Sequence, residues 1–238
     1  MKFFQLLSTR CALACCALFG LAASALAAES FDVHCANIQY LTDKKIQADV
    51  GISEAQRTRM NKHADAYRAR MAAYQKELEQ TKKQPDEARL QRMILDMKAQ
   101  VIAELSASQV KRLRELTLQF TGLAGVLDEV VATKIGITSA NLTKLRKIFA
   151  DGHDKVEKIK AMVQEEAFKP YAGKKPKDQA EEDKWKKDVQ ARGTAAAKRY
   201  APRVKQIEQD TQAAMLKIVT VQQQNAYKAL QGVAYKPK

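Results

Sequence analysis

The sequence predicts an all-α protein made of long amphipathic helices and helical hairpins in two repeated units, arranged as a cradle or bundle. Three observations carry that expectation. Apolar residues recur at steps of three and four, and no segment alternates with the period of a strand. The 238 residues include only 9 Gly and 5 Pro, too few for a glycine-rich nucleotide fold or for many short strands joined by turns. A pattern of short helix, glycine and long helix occurs twice at a constant offset of 85 residues.

Residues 1–27 have the form of a secretory signal peptide. Lys2 and Arg10 are its positive end, an uncharged apolar stretch runs from Cys11 to Leu26, and Ala25-Leu26-Ala27 is a small-x-small cleavage site. An uncleaved membrane anchor is the alternative, which the short apolar stretch disfavours, since a span needs roughly 20 residues. Cleavage would remove two positive charges from the formal +14, and Cys11, Cys15 and Cys16. Cys35 would then be the one remaining thiol of an exported chain, either free or paired between chains.

The mature chain reads as helices in order. Met60, Ala64, Tyr67, Met71, Tyr74 and Leu78 form one apolar stripe on a helix over about 54–83, which Pro85 interrupts. Leu90, Ile94, Met97 and Val101 mark a second helix, and Val110, Leu113, Leu116 and Phe120 a third. Leu142, Leu145, Phe149, Val156, Ile159 and Val163 mark a fourth, with Gly152 as a weak point inside it. A Pro- and Lys-rich loop follows over 168–177. Beyond it, 179–200 and 203–218 are helical, with Pro202 kinking or separating them.

The repeat divides the mature chain into units over 36–123 and 124–234, the second carrying a Lys-rich insert near 168–200. Four segments share an aliphatic residue, a hydroxyl residue, two variable residues and an amide: Ile52-Ser53-x-x-Gln56, Leu105-Ser106-x-x-Gln109, Ile137-Thr138-x-x-Asn141 and Val219-Thr220-x-x-Gln223. This is the spacing of a capping box, in which the hydroxyl accepts from the N3 amide and the N3 side chain reaches back to the N-cap amide. These residues are therefore expected to be structural helix starts, with the shorter Asn141 closing its box less well.

With these four segments the mature chain resembles the LTxxQ-motif family of periplasmic proteins (Spy/CpxP-like), as a duplicated, double-length relative. No segment reads Leu-Thr-x-x-Gln letter for letter. The resemblance implies an all-α cradle, often a homodimer, that holds unfolded or partly folded envelope proteins without ATP, and a role in the envelope stress response.

No residues point to catalysis. His34, His63 and His153 are far apart, and the chain has no HxxxH or CxxC pair, Walker loop or GxGxxG. A non-enzymatic protein without metal or cofactor is expected. Charge is the strongest signal outside the motif: 12 Lys or Arg face 5 Asp or Glu between Phe168 and Lys205. Such a stretch is either a solvated face or a patch for acidic clients, lipid phosphates or a membrane surface. The export signal argues against nucleic acid. Candidate client-binding residues are Met60, Tyr67 and Met71 in the first unit, and Lys174, Lys175, Lys177, Trp185, Lys186 and Lys187 in the insert. Met and aromatic side chains adapt to varied apolar partners, although the same stripe serves equally as core. The alternatives to a periplasmic holdase are an envelope adaptor binding one folded partner, and a metal-responsive sensor with ligands near His34 or His63.

Overall fold

The computed structural model describes residues 30–236. The stretch over 1–27 that reads as a signal peptide lies outside them. The fold is all-α, and among the described residues there is no strand. The helices are α1 (Phe31–Cys35), α2 (Lys44–Val50), α3 (Glu54–Thr81), α4 (Glu87–Ala103), α5 (Ala107–Thr121), α6 (Glu129–Lys134), α7 (Ser139–Phe168), α8 (Gln179–Leu216) and α9 (Val221–Leu230).

The chain forms two compact units. One runs to Gly125 and resumes at Ala226; the other is Val126–Asn225. The end of the chain thus belongs with the first unit, whereas the repeat alone places it in the second. Its attachment to α5 is specific. Tyr227 Oη donates to the carbonyls of Leu118 and Gly122 at 3.2 and 2.7 Å, and Arg112 Nη1 donates to the Val233 carbonyl at 2.6 Å. Gln119 Oε1 accepts from the Tyr235 amide at 2.8 Å.

In the first unit, Asp43 caps α2 by accepting from the Lys45 amide at 2.7 Å, and Gly51 ends it at φ 74°, where other residues are strained. The core gathers Ile46, Val50, Ile52 and Met60 around Leu113 and Leu116, both fully buried. Helices α3 and α4 then run out as a hairpin. Tyr74 closes its turn: its hydroxyl accepts from the Asp86 amide at 2.6 Å, Asp86 caps α4, and the Arg89 guanidinium lies 4.4 Å from the Tyr74 ring centroid.

The second unit repeats the plan. Asp128 caps α6, Gly136 follows it at φ 77°, and α7 and α8 form a longer hairpin. Two sequence expectations change here. Gly152 is a point of close approach rather than a weak point: it is buried, and a Cβ on it would lie 2.2 Å from Thr211 Oγ1 of α8. Pro202 does not separate two helices, because α8 continues through it. The missing N–H leaves the Lys198 carbonyl without a helical donor, yet α8 runs on as one helix, with Ala196 and Met215 buried on either side of the proline.

Candidate functional site

The hydroxyl-and-amide motifs form the base of each hairpin. Ser53 accepts from the Gln56 amide at 3.2 Å and Gln56 Oε1 accepts from the Ser53 amide at 3.0 Å. Ser106 and Gln109 form the same box at 3.3 and 2.9 Å, and Thr220 and Gln223 at 3.2 and 3.0 Å. Thr138 accepts from the Asn141 amide at 3.3 Å without the return bond, since the Asn side chain is one methylene shorter.

The first unit adds a contact that a lone capping box does not contain. Gln56 Nε2 donates to the Glu104 carbonyl at 2.7 Å and to Gln109 Oε1 at 2.8 Å. Gln109 Nε2 donates to the Gly51 carbonyl at 2.7 Å and to Gln56 Oε1 at 3.1 Å. Each amide therefore caps its own helix and ties down the carbonyl two residues before the other's N-cap. The two helix starts are clasped reciprocally, with both amide groups satisfied. The second unit keeps half of this: Gln223 Nε2 donates to the Gly136 carbonyl at 2.6 Å. The only sequence signal for the clasp is that Gln occupies N3 in three of four boxes, leaving an NH₂ group unused once Oε1 has closed the box.

Beside the clasp, Glu104 Oε1 accepts from His63 Nε2 at 3.0 Å, and its Oε2 accepts from Arg59 Nε. The bonds to Arg59 and then His63 hold the Glu104 carboxyl below its ordinary pKa. Among the described residues, no three His, Cys, Asp or Glu side chains converge as a metal site. Cys35 is buried, which keeps its thiol away from the surface that an inter-chain disulfide requires.

Farther along the first hairpin, an open apolar groove of about 390 Å³ lies between α3 and α4. Tyr67, Met71, Leu78, Pro85 and Leu90 line it, with Arg68 at its edge. Of the sequence candidates, Tyr67 and Met71 thus share one surface. Met60 does not: it is buried in the core, because its stripe position lies next to the clasp where the helices are in contact.

The remaining candidates lie in the second unit. Lys174, Lys175, Lys177 and Lys187 are exposed. Lys186 is engaged with Glu182 at 2.5 Å. Trp185 stacks on Tyr171, with ring centroids 4.6 Å apart. The Tyr171 hydroxyl donates to Asp188 Oδ2 at 2.6 Å, and Arg192 Nε binds the same oxygen at 2.6 Å. The bonds from Tyr171 and Arg192 lower the Asp188 pKa, and the bond to Asp188 raises that of Tyr171.

Comparison of the chain with protein-family models, with curated proteins and with solved structures finds no match in any of the three.

Proposed function

We propose that the chain is an exported, ATP-independent holdase that keeps apolar segments of unfolded envelope proteins from aggregating. The observation that carries this reading is the open groove lined by Tyr67, Met71, Leu78 and Leu90 on a hairpin whose base is clasped. A rigid base with an uncovered apolar hollow above it offers an unfolded segment somewhere to bury aromatic or aliphatic side chains, and Met and Tyr tolerate many such partners. The four LTxxQ-like motifs and the secretory leader support the same reading, and a surplus of positive charge speeds encounter with acidic chains. The motif amides act on the fold, and the groove side chains act on the client.

The test is suppression of aggregation of two unrelated clients without ATP, by the chain beginning at Ala28. Suppression should fall several-fold in Met71→Glu, which puts a charge into the groove while keeping a good helix former. Equal suppression by parent and variant, with both folded by circular dichroism, overturns the assignment of the groove. No suppression by the parent overturns the holdase reading.

A further inference from the structure

The Lys-rich turn between α7 and α8 is not part of the groove, and its chemistry points to a different partner. Its sequence is basic without interruption: Lys169, Lys174, Lys175 and Lys177 precede the first acidic residue, Asp178. On the first turns of α8, Lys184, Lys186 and Lys187 share the surface with Glu181, Glu182 and Asp183, and Lys186 is paired with Glu182, so the unpaired charge lies in the turn itself; no Arg lies between Phe168 and Arg192. Lys174, Lys175 and Lys177 are exposed, and their side chains make no salt bridge among the described residues. Apolar groups sit among them. Phe168, at the end of α7, is 50% exposed, and the stacked Tyr171 and Trp185 are half-buried.

The base of this turn is anchored. Tyr171 and Arg192 converge on Asp188, and Glu181 Oε2 accepts from the Lys177 amide at 2.6 Å. The lysines and the aromatic rings are therefore presented together at one end of the hairpin. The exclusive use of Lys matters. Arg recognises a carboxylate or phosphate through a fixed fork, whereas Lys is a flexible point charge suited to a diffuse field. Amphipathic rings beside lysines are the combination that rests at a water–lipid boundary, with the charges at headgroup level and the rings just beneath.

We infer that the tip of the α7–α8 hairpin, comprising Phe168, Tyr171, Lys174, Lys175, Lys177 and Trp185, docks on the phosphate headgroups of an anionic membrane surface. This is independent of the holdase reading, which rests on the first unit. Trp185 is the one Trp in the chain, so its fluorescence reports on the tip alone.

The chain from Ala28, which holds every described residue, is titrated with vesicles of phosphatidylcholine containing about one third phosphatidylglycerol, a charge density that attracts lysines. Trp185 emission should shift to the blue and the protein should sediment with the vesicles. Both effects should vanish with pure phosphatidylcholine and in high salt. Replacing Lys174, Lys175 and Lys177 together by Gln should weaken binding at least about tenfold, since each lysine at such a surface contributes roughly fivefold. A charge-matched variant, with Lys62, Lys76 and Lys83 of the first unit replaced by Gln, should bind as the parent does. Equal losses in the two variants would reduce the effect to net charge and overturn the inference. So would a Trp185 shift produced by soluble polyglutamate but not by anionic vesicles, which would make the tip a site for acidic chains. Circular dichroism of both variants checks that the fold is retained.

Discussion

At the register position where the first hairpin has Tyr67 on α3, the second has Gly152 on α7, and where the first has Met97 on α4, the second has Thr211 on α8. The offsets are those of the motifs themselves, Ser53 to Thr138 and Ser106 to Thr220. Neighbouring positions correspond in burial as well as register: Met60 with Leu145, Tyr74 with Ile159, Val101 with Met215. Both hairpins thus begin from the same plan, and this level of the stack is one of the places where they diverge. Small residues let α7 and α8 pack along much of their length, with Gly193 and Ala167 in ordinary contact farther out. Each hairpin still carries a hollow at this level, about 390 Å³ beside Tyr67 and about 340 Å³ beside Gly152 and Thr211; aromatic and aliphatic side chains dominate the first, whereas Asp151, Lys155 and Asp210 make the second polar. A repeat can therefore keep its fold and change the chemistry of its surface, apolar in the first hairpin and charged in the second.

The largest effect that tests this comparison is steric. Gly152→Val places branched carbons where even a Cβ would lie 2.2 Å from Thr211 Oγ1. Overpacking of that kind costs about 1–3 kcal/mol or somewhat more, and thermal unfolding should show it. Gly152→Ala should cost less, because Ala regains about 1 kcal/mol of helix propensity, and Thr211→Ala should rescue it in a double-mutant cycle. The counterpart Tyr67→Ala, on the open hairpin, should cost less than Gly152→Val and enlarge the groove. A larger loss from Tyr67→Ala would mean that the first hairpin is the more tightly packed of the two.

How far the sequence discloses these features follows from how local they are. The stripes on α3, α4, α5 and α7 are visible because burial on one helix face repeats every three or four residues. The caps at Ser53, Ser106 and Thr220 are visible because hydroxyl and amide lie three residues apart on one turn. The Gln56–Gln109 clasp joins residues 53 apart in the chain, and nothing in either box names its partner. Gly152 is ambiguous in sequence, since a glycine that weakens a helix and one that admits a neighbour are written alike; Thr211 decides between them. Tyr227 and Tyr235 bind α5 of the first unit although they follow the last repeat motif of the second, so register alone misassigns the end of the chain.

A second prediction compares the two hairpin bases. Gln109→Ala removes the return bond of one capping box, the bond to the Gly51 carbonyl and the bonds to Gln56. A loss of about 2 kcal/mol is expected, a cap plus partly buried amide bonds left unmade. Gln223→Ala removes only a box and the bond to Gly136, and should cost about 1 kcal/mol. Denaturant titrations of the two variants measure the difference, and equal losses would show that the clasp adds nothing to its boxes.

A third prediction is smaller and confined to acid. The Glu104 carboxyl, held below its ordinary pKa by Arg59 and His63, has a counterpart without charge in the second unit, Ile218. A depressed carboxyl contributes stability that is fully present above its unfolded pKa, about 4.3, and is lost as pH falls through the lower folded value. Glu104→Gln should therefore lower the melting temperature at neutral pH and flatten its decline below about pH 4. A parallel decline in parent and variant would remove Glu104 from the acid response.

The smallest expected effect is a gain. Asn141 stands where Gln56 stands in the first unit, and it is the one motif amide that does not return a bond to its own N-cap. Its position relative to Thr138 is otherwise that of Gln56 relative to Ser53, and Gln223 is already bonded to the Gly136 carbonyl as Gln109 is to that of Gly51. Asn141→Gln adds the missing methylene. The introduced carbonyl oxygen can then accept from the Thr138 amide, and the NH₂ group can reach the Ile218 carbonyl and Gln223 Oε1, as Gln56 reaches Glu104 and Gln109. Lost side-chain entropy opposes these bonds, so the net gain should be a few tenths to about 1 kcal/mol. The converse change, Gln56→Asn, should cost at least as much, because it breaks a clasp that already exists. If Asn141→Gln stabilises while Gln223→Ala in the same background now costs as much as Gln109→Ala, the two bases have been made equivalent. If it destabilises, the second base differs from the first by more than one methylene, and the longer hairpin has its own way of setting where its helices begin.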